Sequence, residues 1–558
     1  MMHEGPIAGI AAHGDFVATA GYDNKLILWD NTTRKAVARG THDHLVNNCA
    51  FSSSGKWLVS ASSDYSARLW AVPSMRLQAV LPGHGDDVDM AVFSPDDQYI
   101  ATCALDRLVR IFDLQGRCLH VCQGHTGNVL ALAWTPDNRY VVSTSVDGTL
   151  RKWDVQTGQE VQKTDLQIRT DSLEISSHGV IYAGDDLGRL VVITEGGTYF
   201  VQAHAAGIKK VALNTQTGHL VCLSYDRSMS VWQVGIDHTP TELARCELPE
   251  NIWARAATIL QDGRVVTGTF GASYAIYDLR TQAWDMTQVA AGNALNDVAS
   301  LNGHIYTVGD AGRVLQDGNV LADMGSLCNF LIGSGRLLLT GGQMGCLFDA
   351  RTGMVLYRHR SPLNCGVAFE QAGQRWVAIG SYTGEALLFK VDQQDKLTLE
   401  RNLHIYPNAI KGLSYSEGML LSVCANTDMA WHRVSDAQEI KRMRQAHDKI
   451  TNDCCTIDDQ HFATVSRDRT LRIWGQTSTE VYPSPHPNSV KCISINNDKS
   501  VLLTGSYGGT LAMFDLQQKR WTKLERPTTA GISAITWHED QHQFLAASYD
   551  GHIYPLPV

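Results

Sequence analysis

At 558 residues, with 44% apolar and 19% charged side chains, the chain has a globular composition and is too long for one hydrophobic core. This excludes an extended disordered protein and predicts more than one domain. The formal charge of −10 is spread without acidic or basic blocks. The densest basic stretch, Lys441, Arg442, Arg444 and Lys449, reads as a solvated outer strand, so no nucleic-acid partner is expected.

The first residues, Met1-Met2-His3-Glu4-Gly5-Pro6, lack a charged start followed by an apolar run, and no apolar stretch approaches the ~20 residues of a membrane helix. A soluble cytoplasmic protein without a membrane partner is expected. Asn31-Thr32-Thr33 matches a glycosylation acceptor but reads as a turn in that setting. The thirteen cysteines are an odd number, and Cys49, Cys222, Cys328, Cys424 and Cys492 lie among apolar residues of predicted strands, as buried free thiols do.

In chain order, the segments GYDNKLILWD, SSDYSARLWA, ALDRLVRIFD and SVDGTLRKWD place Asp23, Asp64, Asp106 and Asp147 at intervals of 41, 42 and 41 residues. Six residues after each aspartate stands an aromatic: Trp29, Trp70, Phe112 and Trp153. Upstream lie runs such as WLVSAS and YVVSTS, whose β-branched residues and turn-forming borders predict strands. No helical period is found. Degenerate units follow in VIYAGDDLGRLVVI, RVVTGTFGASYAIYD, HIYTVGDAGRVL, LLLTGGQMGCLFD and WVAIGSYTGEALLF, and LLSVCANTDMAWHRV, VLLTGSYGGTLAMFD and FLAASYDGHIYPLPV bring the number to fourteen at about forty residues each.

This pattern resembles the WD-repeat family, whose unit is one four-stranded propeller blade. The resemblance covers the chain and implies an all-β protein of two seven-bladed β-propellers, residues 1–290 and 291–558, divided within DMTQVAAGN at 285–293. It also implies a hydrogen-bonded tetrad of His, Ser or Thr, Asp and Trp in each well-kept blade. Complete sets are His3, Thr19, Asp23 and Trp29; His42, Ser60, Asp64 and Trp70; His125, Ser143, Asp147 and Trp153; and His447, Thr464, Asp468 and Trp474. Two sets depart from the pattern: His84, Thr102 and Asp106 with Phe112 for Trp, and His204, Asp226 and Trp232 with Cys222 for the hydroxyl. Propellers of this family close by pairing an N-terminal strand into the last blade, but no such donor is found here. The fourteenth blade is expected to hold three strands, with Pro555 and Pro557 protecting its edge. An arrangement in which repeat 1 joins the C-terminal ring stays open.

Ser, His and Asp are the residue types of a nucleophilic triad, but a trio that recurs blade after blade and is closed by Trp is architectural. No catalytic residue, cofactor site or metal site is therefore expected. His538-Glu539-Asp540-Gln541-His542 spells the HExxH pattern, which binds zinc only on a helix, whereas here it falls on a hairpin. Cys118 and Cys122, and the adjacent Cys454 and Cys455, make no credible metal site. The glycine clusters GGQMG and GDDLG lack the strand-to-helix context of a phosphate loop.

In the family, the residue before the turn Asp and residues shortly after the repeat histidine face the top of the central channel. The first set is Tyr22, Tyr225, Phe270, Tyr382, Tyr507 and Tyr549, with Ser63, Leu105, Val146 and Arg467 at matching places. Tyr and Arg on a solvent-facing rim anchor protein interfaces. The alternative for each tyrosine is packing over the neighbouring blade. The second set, Asp87, Asp89, Asn47, Asn128, Lys209 and Lys491, predicts a locally acidic rim on the first ring that suits a basic segment. The expected function is a scaffold for a protein or peptide partner. The alternative is a small-molecule-binding or enzymatic accessory protein of a bacterial biosynthetic pathway, using a propeller-mouth or inter-ring pocket.

Overall fold

Runs such as Trp57–Ser62 and Val501–Ser506 are apolar or hydroxyl-bearing at nearly every position and are buried on both faces, as strands sandwiched between neighbouring sheets must be. Outer strands such as Thr479–Pro483 alternate between half-buried and exposed residues, with one face in water. The computed structural model describes residues 2–3, 5–235, 238–289, 292–475 and 478–558. They form thirteen four-stranded antiparallel sheets and one three-stranded sheet, each a meander of consecutive strands. Among the described residues the one helical element is a 3-10 turn at Glu539–Gln541.

The sheets are blades 1 to 7, at residues 7–41, 46–81, 88–122, 129–165, 170–202, 208–247 and 252–285, and blades 8 to 14, at 295–323, 328–358, 363–404, 410–443, 451–483, 490–525 and 532–557. The chain divides into two compact units, residues 1–291 and 292–558. The boundary expected between residues 290 and 291 falls outside the described residues.

Within each unit the innermost strands pack one against the next, so the core lies between blades. Val59 and Leu69 of blade 2 meet Val88, Ile100 and Phe112 of blade 3, for example. The first unit closes when Ile10, Val17, Ile27 and Trp29 of blade 1 pack on Ala256, Val266, Tyr274 and Ile276 of blade 7. A clasp reinforces the seam: Arg34 pairs with Asp285 at 2.9 Å and donates to the Tyr274 carbonyl at 2.5 Å. Gly268 is required there, since an added Cβ would lie 2.5 Å from the Ile7 carbonyl. Blade 1 thus completes the first ring, and the interleaved arrangement is overturned.

The second unit closes through Leu295 and Val298 of blade 8 against Leu545 and Ala547 of blade 14, with Ser300 Oγ 2.7 Å from His538 Nδ1. No strand is exchanged at either seam among the described residues. Blade 14 ends with Ile553–Pro557 as its third strand, as the sequence predicts. The HExxH segment is the hairpin of that blade. His538 is buried at the seam while His542 is exposed in a left-handed turn, so the two do not share a helical face.

Candidate binding surfaces at the channel mouths

The four complete tetrads are present. His3, His42, His125 and His447 each reach their Asp through Nδ1 at 2.8–3.0 Å and their hydroxyl through Nε2 at 2.7–2.9 Å. Trp29, Trp70, Trp153 and Trp474 donate to that same hydroxyl at 2.7–2.8 Å. Burial would raise the Asp468 carboxyl, but the His447 and Thr470 hydrogen bonds outweigh it and bring it down to about 2. The imidazoles are thus held by architecture, with both ring nitrogens engaged.

The two irregular sets resolve differently. In blade 6 Ser230 supplies the missing hydroxyl, at 2.8 Å from both His204 Nε2 and Trp232 Nε1, while His204 Nδ1 reaches Asp226 at 3.1 Å. In blade 3 His84 bonds Thr102 at 2.8 Å, but Asp106 turns to Arg110 at 2.7 Å. The His84 Nδ1 is left without a partner among the described residues. The expected His84–Asp106 contact is therefore absent, because the arginine competes for the carboxylate. Burial, reinforced by the Arg110 charge, pushes His84 down to about 4. Blade 13 holds a set that sequence reading missed, with His486 between Thr510 at 2.6 Å and Thr504 at 2.9 Å. Its signal was obscured because Gly508 stands in the aspartate's place.

One backbone hydrogen bond repeats in all fourteen blades: the residue in the top turn donates its N–H to a carbonyl just before or at the start of the inner strand, as in Tyr22 to Pro6 at 2.9 Å and Tyr549 to Gly531 at 3.0 Å. This bond pins the turn to the channel mouth. It adds Asp186, Asp310, Gln343 and Ala425 in the degenerate blades to the positions read from sequence. The second residue of the inner strand lies beside it, and where that residue is Asn it ties two blades together. Asn47, Asn329, Asn364 and Asn452 donate to Val88, Leu363, Ile410 and Val490 carbonyls at 2.6–3.0 Å.

Exposure at these positions is uneven. Tyr22, Asp89, Tyr382, Arg467 and Tyr549 are half-buried, whereas Tyr225, Phe270 and Tyr507 are each 7% exposed and Asp87 is 1% exposed. A fully solvent-facing aromatic rim is thus corrected: three of the aromatics pack against neighbouring side chains. Phe270 lies 5.5 Å from Trp253, and the Tyr507 ring sits 5.6 Å from the Arg467 guanidinium. The acidic rim of the first ring is also corrected, since Asp87 is buried and Lys209 is matched by acids of its own.

A cluster of charged and aromatic side chains spans blades 5, 6, 7 and 1. Lys209 pairs with Asp171 at 2.7 Å and with Asp186, and Arg169 reaches Asp171 at 2.5 Å. Burial would raise the Asp171 carboxyl, yet the Arg169, Lys209 and Arg255 charges hold it well below the usual carboxylate range. Lys209 sits 5.1 Å from the Tyr225 ring centre, and the Tyr225 hydroxyl accepts from Arg255 Nε at 3.1 Å. Arg255 lies 5.9 Å from the Trp253 ring, which meets Tyr22 edge-on at 5.1 Å.

Arg255 is exposed and escaped the sequence reading because it occupies no repeat position. In blade 7, Ile252 pairs with Thr269 but the next pair is Ala257 with Thr267, so residues 253–256 bow out of the ladder. Other inner strands skip a single residue at this point, as between Val46 and Asn48. The unusual length of NIWARAATI before the strand VVTGT was the available signal.

Fourteen antiparallel blades in two closed rings of seven define a tandem double β-propeller. The WD domain, G-beta repeat family matches residues 2–30, 36–71, 75–113, 116–154, 438–475, 478–515 and 519–554, so the chain carries WD repeats at these seven places. It is similar to WD repeat-containing protein 55 of Bos taurus, 24% identical over 196 residues that cover 34% of this chain and 50% of that protein. It also resembles Protein HIRA of Dictyostelium discoideum, 30% identical over 18% of this chain and 11% of that protein. The Probable cytosolic iron-sulfur protein assembly protein CIAO1 homolog of Caenorhabditis elegans is 34% identical over 17% of this chain and 32% of its own length. The matches therefore span at most half of these relatives. No helix among the described residues is long and apolar enough to cross a membrane.

Proposed function

We propose that the chain is a non-enzymatic scaffold that holds a protein or peptide partner on its channel mouths. The observation that carries this reading is the half-buried Tyr22 and the exposed Arg255 at the mouth of the first unit, both set against the buried Trp253 ring. Such residues supply large contact area and directional donors at low entropic cost. The half-buried Tyr382, Arg467 and Tyr549 offer a second surface of the same kind on the other unit.

The titratable groups nearest the first mouth are committed to one another, with Asp171 and Asp186 paired to Arg169 and Lys209, which supports binding over chemistry. A cytoplasmic setting suits the thirteen free cysteines, of which Cys222 and Cys328 are pushed up to about 12 by burial. The test is recovery of partners from the native source with the full chain as bait, wild type beside Tyr22→Ala/Arg255→Ala and Arg467→Ala/Tyr549→Ala variants. A protein lost from one variant while its melt stays near normal supports the proposal. Equal recovery by all three sinks it, and recovery of a bound small molecule in place of a protein favours a ligand-binding accessory protein.

A further inference from the structure

The five charged groups at the mouth of the first unit do not balance. Arg169 and Lys209 are matched by Asp171 and Asp186, while Arg255 has no carboxylate within ion-pair distance among the described residues. The cluster keeps one net positive charge in a chain of −10. Arg255 commits only its Nε, to the Tyr225 hydroxyl, and that bond fixes the plane of the guanidinium. Its two terminal amino groups make no hydrogen bond to described residues, and the side chain is exposed. An oriented and uncommitted fork is the geometry that takes two oxygens of one anion. The half-buried Tyr22, propped edge-on against the buried Trp253, flanks it and gives apolar ground on which a residue beside that anion can rest.

We infer that the mouth of the first unit recognises an extended peptide segment through an acidic side chain, carboxylate or phosphorylated, gripped by Arg255. The inference rests on the mouth being a peptide surface, and it replaces the basic partner expected from Asp87 and Asp89. Lys209 and Arg169 are tied down by their own acids and act as a rigid floor, so the selectivity is assigned to Arg255 alone.

The test is capture of the full-length protein by immobilised decapeptide libraries that fix Glu, Gln, phosphoserine, Ser or Lys at the centre and randomise the flanks. Wild type is expected to favour Glu over Gln, or phosphoserine over Ser, by at least about ten-fold, because hydrogen bonds to an ionised acceptor are stronger than those to a neutral one. The preference separates the two anion sources. Arg255→Gln should abolish it, Arg255→Lys should reduce it several-fold through loss of the fork, and Arg467→Ala should leave it intact. The exposed position predicts normal melts for both Arg255 variants.

Capture that ignores the central residue but is lost in Tyr22→Ala with a near-normal melt would overturn the acidic preference and keep the peptide surface. Capture unchanged by Tyr22→Ala and by both Arg255 variants, or no capture from any library, would overturn both.

Discussion

Ser230 lies directly across the blade 6 hairpin from Cys222, on the neighbouring strand, and its Oγ occupies the place that a hydroxyl at position 222 would fill. The tetrad therefore survives a substitution that removes one of its members, because cross-strand partners on one face present their side chains to the same space. Ser230→Ala should leave the buried His204 Nε2 and Trp232 Nε1 without a partner and cost about 2–4 kcal/mol. Adding Cys222→Ser should recover at least half of that loss in urea unfolding. A Ser230→Ala protein as stable as wild type would mean that the hydroxyl is dispensable.

Three carboxyls of the second unit point to an unusual acid response. Burial pushes Asp297 and Asp310 up to about 7 and Asp453 up to about 6, against the opposing hydrogen bonds of Leu331, Asn296 and Ile493 respectively. The folded state takes up these protons well above the unfolded value near 3.9, so their stabilising contribution is present at low pH and is lost as pH rises through about 6–7. His486, lowered to about 4 by burial, works in the opposite direction between about pH 6.5 and 4.

The balance favours the carboxyls, and the transition of residues 292–558 should move up between pH 7.5 and 5.5. Asp310, 2% exposed, should account for roughly 2 kcal/mol of this change. Differential scanning calorimetry of Asp310→Asn should show a flatter pH response, and an unchanged response would remove Asp310 as its source.

The repeat was legible because the tetrad and the strand pattern recur at fixed spacing, and backbone turns tolerate little else. Ring membership was harder to read, since Trp29 packing on Tyr274 depends on contacts some 245 residues apart that leave no local signal. Exposure at the mouth was misjudged for a related reason: the turn fixes where Tyr225 and Tyr507 start, but the neighbouring blade decides whether they are covered. Arg255 was missed because a bulge breaks the register on which the positional argument relied.

A fragment of residues 1–290 should fold alone, because blade 1 closes on blade 7 within it through the apolar seam and the Arg34 clasp. The expected result is a β-rich circular dichroism spectrum and one cooperative melt. Arg34→Ala should weaken the fragment by about 1–3 kcal/mol, since it removes a charge-assisted pair and a donor to the Tyr274 carbonyl. An unfolded or aggregating fragment would show that the first ring needs residues from the rest of the chain.

The mouth of the second unit separates packing from recognition in a single pair. Tyr507 is buried and Arg467 lies over its ring, so the two positions that sequence alone treats as equivalent should respond differently. Tyr507→Ala should cost about 3 kcal/mol, as truncation of a buried aromatic does. Arg467→Ala should cost no more than about 1 kcal/mol, the worth of a partly exposed cation–π contact. If this mouth binds a partner, Arg467→Ala should weaken binding with a near-normal melt, while Tyr507→Ala should weaken both because it removes the platform that orients the arginine. Thermal unfolding read beside partner affinity distinguishes the two. A Tyr507→Ala protein with wild-type stability would return that tyrosine to the surface role, and wild-type affinity in both variants would remove this mouth from the binding surface.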